Sequence, residues 1–151
     1  MNKLTLNIDG FKCFREDTSI KFNDITLLTG ANSAGKSTVL QSLLLLKTLS
    51  QGNLSNSDSS IELDLNNEKY ALNLGTYDDI RNKSNDAYED FMEQESKDIK
   101  FLLDGAEASI RIQDNFDSGS IIKVVTDKQS LAQMKTHLSC GFVYLNAERQ
   151  A

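Results

Sequence analysis

The 151-residue chain has no proline and no tryptophan, one histidine, two cysteines and only 7% aromatic residues. A lone histidine, His137, excludes a histidine-rich metal centre. Cys13 and Cys140 lie far apart, match no zinc-ligand spacing and make no disulfide framework, so a reducing, cytoplasmic setting is expected. Each cysteine reads as a small buried hydrophobe. Basic residues are also scarce, 16 against 22 acidic, giving a net charge of −6. The chain as a whole therefore carries no electrostatic footprint for a nucleic-acid backbone; a DNA or RNA partner needs basic surface from other segments or a local patch. Long apolar runs are missing too. The longest, residues 43–46, falls far short of the roughly 20 residues of a membrane span, and the first residues carry no signal-peptide core, so no membrane partner is expected.

What is present suits one domain with a real core, at 39% hydrophobic and 25% charged residues. Leu4, Leu6 and Ile8 alternate with polar residues and predict a strand, broken at Asp9-Gly10. Residues 11–14 and 19–22 read as a second strand pair. Residues 25–29 (Ile-Thr-Leu-Leu-Thr) form a near-continuous apolar run, the pattern of a central strand buried on both faces. From Lys36 to Leu49, seven apolar residues cover a broad helical face, which predicts a largely buried helix with Gly52 as a left-handed cap.

Further along, residues 61–65 and 70–74 flank Asn66-Asn67 and predict a hairpin. Tyr88, Phe91, Met92 and Glu95 have helical spacing. Residues 99–103, 108–112 and 121–125 are strand candidates. Leu131, Met134 and Leu138 stripe a helix behind an Asp127 cap, and residues 142–145 are a last strand. The expected fold is α/β: a mixed sheet, one buried helix after the glycine-rich loop and an antiparallel insertion.

The chemistry concentrates in Gly30-Ala31-Asn32-Ser33-Ala34-Gly35-Lys36-Ser37, which meets the P-loop pattern Gly-x-x-x-x-Gly-Lys-[Ser/Thr]. A polyphosphate needs many donors in a small concave space, and consecutive backbone N–H groups supply them. Gly30 and Gly35 allow the backbone angles that aim those groups inward. The helix starting near Lys36 adds the positive end of its dipole. Lys36 is placed to span the β- and γ-phosphates, the Ser37 hydroxyl to ligand Mg²⁺, and Thr38 to donate further. An accidental match over this length has a chance on the order of 1% at average composition. ATP with Mg²⁺ is the expected ligand.

Ile8-Asp9-Gly10-Phe11-Lys12-Cys13-Phe14, followed by residues 25–38, resembles the amino-terminal lobe of ABC-type ATPase heads of the RecF, SMC and OLD-like group. The resemblance covers residues 1–49 and returns at Leu74-Gly75-Thr76-Tyr77-Asp78-Asp79 and Tyr144-Leu145-Asn146-Ala147-Glu148-Arg149, which are similar to segments of bacterial defence ATPases. It implies ATP and Mg²⁺ as ligands, a basic Lys12 near the nucleotide, and a homodimer of nucleotide-sandwiched heads acting in DNA repair or anti-phage defence. It also implies a Mg²⁺-sensing glutamine between lobes, for which Gln150 is the positional match.

The family's strand ending in Asp-Glu, its signature loop and its later histidine have no counterpart here. Phe101-Leu102-Leu103-Asp104-Gly105 lacks the second acid and reads as an ordinary strand end; His137 reads as structural or surface. The expectation is a truncated lobe over residues 1–151 that binds ATP but turns it over slowly without its downstream half. Two other enzyme classes match less of the sequence. Asn82-Lys83-Ser84-Asn85 resembles a guanine-reading box with asparagine in place of its final acid, and a kinase lid would need more arginines than the scattered Arg15, Arg81, Arg111 and Arg149. A non-catalytic nucleotide-binding module is the remaining alternative.

Overall fold

The amino-terminal alternation becomes strand β1 (Leu4–Asp9), which points Leu6 and Ile8 fully inward and Asn7 outward. The computed structural model describes residues 3–32, 34–55, 57–83, 98–115 and 118–139. β1 pairs antiparallel with β2 (Thr18–Phe22) on one side and β4 (Ile99–Leu103) on the other. In the second pairing Leu6 faces Leu103 and Ile8 faces Phe101, so apolar partners meet across the ladder. β5 (Ala106–Ile110) folds back on β4 through Asp104 and Gly105, both left-handed at φ 46° and 90° as a tight hairpin turn requires. β6 (Ile121–Val125) and β3 (Ser60–Asp64) complete the sheet, in the order β2-β1-β4-β5-β6-β3.

Two helices cover one face. α1 (Lys36–Ser50) buries Val39, Leu43, Leu44, Leu45, Leu46 and Leu49, the broad apolar face expected, and with them Thr38, Ser42, Thr48 and Ser50. α4 (Lys128–Leu138) lies against α1 and β5 and buries Leu131, Met134 and Leu138. Lys47, in the last turn of α1, donates from Nζ to the Leu138 carbonyl at 2.5 Å, placing a cation on the carboxyl end of α4. The opposite face of the sheet presents Lys100, Glu107 and Lys123 to solvent.

Several expectations need correction. The sheet is antiparallel in every described pairing, not mixed. Residues 25–29 are not a strand, and Ile25 and Leu27 are 91% and 83% exposed. A strand takes its hydrogen bonds from a neighbour, and none lies beside this run among the described residues. Instead Thr26 turns back on Asn23, accepting from its N–H at 3.0 Å. The hairpin of 61–65 with 70–74 is also absent: β3 pairs with β6, while Glu68–Tyr70 form a 3-10 turn and Leu65, Leu72 and Leu74 enter the core. Residues 11–14 close as a single Phe11–Phe14 bridge rather than a strand. Gly52 is not left-handed. The helix ends on Gln51 at φ −83°, and Gly52 is needed for space, since a Cβ there would lie 3.1 Å from Ile61 and from the Leu49 carbonyl oxygen. β5 starts at Ala106, two residues before the predicted 108. The four-residue helices α2 (Tyr77–Ile80) and α3 (Ile112–Asn115) had no periodic signal to betray them. The helix expected after Asn85 and the strand at 142–145 lie outside the described residues.

Candidate phosphate site

Gly35 is the hinge on which the loop becomes a helix. It caps α1 in the left-handed region, at φ 86° and ψ 4°, and its backbone presses against the 10–14 loop. A Cβ there would stand 3.0 Å from both Cys13 Sγ and Phe14 Cζ, so another residue would be strained by the left-handed backbone and would press those side chains aside. Being glycine, it offers no side chain to the first turn, and that turn holds no acidic residue. The opening N–H groups of a helix have no intrahelical acceptor. At α1 no side-chain cap satisfies them, and the dipole's positive end meets no counter-charge from its own turn.

Around this helix end lies a cavity of about 370 Å³ lined by Lys12, Cys13, Asn32, Gly35, Lys36, Ser37 and Thr38. Among the described residues its lining contains two ammonium groups, hydroxyls, a thiol and an amide, and no carboxylate. Lys36 Nζ donates to the carbonyls of Gly30 and Ala31 at 2.7 and 2.6 Å, curling over its own loop. Ala34 N–H closes a turn on Ala31 at 3.2 Å. Cys13 donates its S–H to Thr38 Oγ1 at 3.6 Å, tying the 10–14 loop to the first turn of α1.

Lys12 reaches this cavity from the other side. It is left-handed at φ 49°, and its Nζ donates to Gln41 Oε1 at 2.9 Å. Partial burial pulls its ammonium below the usual lysine range, opposed by the nearby Asp79 carboxylate and Cys13. An anion arriving here would favour the charged form.

The structure thus gathers Lys12, Asn32, Gly35, Lys36, Ser37 and Thr38 around one cavity, with Gly30, Ala31 and Ala34 forming the adjoining loop and Ser33 outside the described residues. Other candidates are engaged in contacts of their own. Asp104 Oδ1 accepts from Thr5 N–H at 2.7 Å in the β4–β5 turn, a structural use. Asp78 pairs with Arg81 at 2.7 Å and Lys83 at 3.2 Å, and these partners hold its carboxyl below the usual range. Asp79 accepts from the Thr76 N–H and hydroxyl, both at 2.8 Å, and is lowered by those bonds. His137 is exposed on α4. Cys140, Glu148, Arg149 and Gln150 lie outside the described residues.

Three features escaped the sequence reading. Cys13, expected to be buried, is exposed and lines the cavity, because the 10–14 segment is a loop folded over the glycine-rich turn. Gln41 receives Lys12; the visible signal was a polar residue four after Ser37 on a leucine-rich helix, a spacing that puts the two on one face. Asn82 is 5% exposed and donates from Nδ2 to the Lys12 carbonyl at 2.5 Å, so its amide serves the backbone and is withdrawn from base reading.

The glycine-capped helix end that opens on this cation-lined cavity is the one that carries the P-loop sequence pattern. The matched family model is that of the AAA ATPase domain, over residues 2–149, and the chain belongs to that family. A comparison with curated proteins found no match.

Proposed function

We propose that the chain is an ATP·Mg²⁺-binding lobe of an ATPase head of the RecF, SMC and OLD-like group. The single observation that carries the reading is the uncapped, acid-free amino terminus of α1 opening on a cavity that holds Lys12 and Lys36. In this reading Gly30, Ala31, Asn32, Ser33, Ala34, Gly35 and Lys36 cradle the phosphates with their backbone, as consecutive N–H donors do for a polyphosphate. Lys36 leaves the Gly30 and Ala31 carbonyls to span the outer phosphates, and Lys12 leaves Gln41 to add a second cation. Ser37 and Thr38 supply hydroxyls, with Ser37 as the protein ligand of Mg²⁺. Among the described residues no three acidic, histidine or cysteine side chains gather into a metal site. That fits a Mg²⁺ held chiefly by phosphate oxygens and water.

Bound Mg²⁺ would supply charge neutralisation on the phosphates. In this reading the loop residues and Lys12 bind and orient the nucleotide. The acids nearest in sequence pattern, Asp78, Asp79 and Asp104, are each engaged in a structural contact. The resemblance extends the proposal to homodimerisation through paired heads and to a role in DNA repair or anti-phage defence. The guanine-specific alternative is disfavoured by the burial of Asn82.

Calorimetric titration with a non-hydrolysable ATP analogue and Mg²⁺ tests the site. Lys36→Ala should weaken binding by roughly 2–5 kcal/mol, about 30-fold to several-thousandfold. Equal affinity in variant and parent, or a clear preference for a GTP analogue in competition, would replace this reading.

A further inference from the structure

Lys12 holds a left-handed backbone conformation, at φ 49°, that residues with a side chain rarely adopt, so the surroundings must impose it. Three hydrogen bonds do so, made with Ile80 at the end of α2 and with Asn82 just beyond it. Lys12 N–H donates to the Ile80 carbonyl at 2.7 Å, and Asn82 N–H donates to the Gly10 carbonyl at 2.9 Å. These two are backbone bonds that most residues at 80 and 82 would allow. The third is not: Asn82 Nδ2 donates to the Lys12 carbonyl itself, at 2.5 Å. It requires a short side chain with a donor at its tip.

The clamp is rigid on both sides. Phe11 bridges Arg81, is fully buried, and stacks edge-to-face on Phe101 with centroids 5.2 Å apart. Asp79, fixed by Thr76 at the start of α2, lies close enough to act on the Lys12 charge. With the peptide on both sides of Lys12 gripped, its side chain reaches Gln41 on α1, and Lys12 itself lines the cavity.

We infer that Asn82 is a positioning residue for the nucleotide site, holding Lys12 in its left-handed conformation so that the ammonium faces the phosphate cavity. The inference rests on the nucleotide reading above and deepens it: the segment from Thr76 to Asn82 becomes part of the site's scaffold without touching ligand.

The test is a double-mutant cycle read by titration with the non-hydrolysable ATP analogue and Mg²⁺. Asn82→Ala should weaken binding roughly five- to fiftyfold in the wild-type background, and less than about twofold in a Lys12→Ala background, because coupled residues lose their effect together. Asn115→Ala is the structural control. Asn115 is another buried amide, donating to the Arg111 and Lys123 carbonyls and accepting from Lys123 N–H, remote from the cavity lining. It should lower stability and leave affinity unchanged. Asn82→Ser, which keeps a shorter donor, is the milder variant should Asn82→Ala fail to fold, and the same cycle applies. Equal losses in both Lys12 backgrounds, or wild-type affinity for the Asn82 variant, overturn the inference. Lys36→Ala separates the two readings. If it binds as tightly as the parent, the site assignment fails and takes this inference with it. If it loses binding while Asn82→Ala does not, only the positioning role fails.

Discussion

The amino termini of α1 and α4 solve the same physical problem in opposite ways. Each helix of 11 or more residues begins with N–H groups that have no intrahelical partner. At α4, Asp127 closes the end: Oδ1 accepts from Ser130 N–H and Oδ2 from the Ser130 hydroxyl, both at 2.8 Å. That hydroxyl in turn accepts from Glu107 N–H at 3.1 Å, welding the cap to β5. The end is satisfied from within and stabilises the fold. At α1 the cap position is a glycine, the first turn has no acid, and the nearest charged side chain is a lysine. A helix end that served stability alone would gain from an acid there. Its absence, alongside Lys12, is what the proposed phosphate site calls for.

Closing the open end by force should have the largest effect. Gly35→Ala puts a methyl group where Cys13 Sγ and Phe14 Cζ stand at 3.0 Å, on a backbone at φ 86°. The left-handed conformation alone costs roughly 1–2 kcal/mol, and crowding adds to it. We expect a loss of at least about 2 kcal/mol of unfolding free energy by urea denaturation, together with weakened binding of the ATP analogue, since the 10–14 loop carrying Lys12 must retreat. Unchanged stability would mean that the loop does not pack on Gly35.

Opening the closed end should cost less. Asp127→Ala removes an amino-terminal cap, worth about 1 kcal/mol, and should lower thermal stability by a few degrees without changing nucleotide affinity. The sign of its pH dependence follows from the Ser130 bonds, which hold the Asp127 carboxyl below its ordinary value. A carboxyl lowered by folding contributes stability above its unfolded value, near 3.9, and loses it as pH falls through the lower folded value. Asp127→Asn keeps an acceptor without the charge, so its contribution should be flat across that acid range. Parallel acid-unfolding curves for parent and Asn variant would refute the assignment of the shift to this cap.

The two ends also differ in how legible they were. Asp127 before Leu131, Met134 and Leu138 announces its own helix, because cap and stripe are local signals. The glycine-rich loop stands out as well, through the Gly-x-x-x-x-Gly-Lys-[Ser/Thr] spacing that suits a phosphate cradle. What surrounds it was harder to read. Residues 25–29 carry the composition of a buried strand, yet composition states a preference for burial and cannot supply the neighbour that hydrogen bonding needs. β3 was recognised as a strand but assigned the wrong partner: Asn66-Asn67 is a good turn, and the choice of β6 over residues 70–74 is made by long-range packing of Leu63 on the core. Lys12 was named from resemblance, but the agent holding it, Asn82, lies 70 residues away and resembles part of a different motif.

The smallest effect sharpens the contrast most, because it has opposite signs in two measurements. Ser37→Glu places a carboxylate in the first turn of α1, at an exposed position. If the dipole's positive end is unopposed there, the added charge should stabilise the nucleotide-free protein by roughly 0.3–1 kcal/mol, an increment that salt screens. The same charge repels phosphate, and the substitution removes the hydroxyl proposed for Mg²⁺, so affinity for the ATP analogue should fall. Thermal unfolding without ligand and titration with it are compared for parent and variant. The equivalent acid at Gln129, within the already closed turn of α4, should raise stability less and leave affinity alone. Stabilisation at Ser37 with full affinity would show that the end of α1 is merely an uncapped helix. Destabilisation with full affinity would show that neither the dipole nor the phosphate argument describes it.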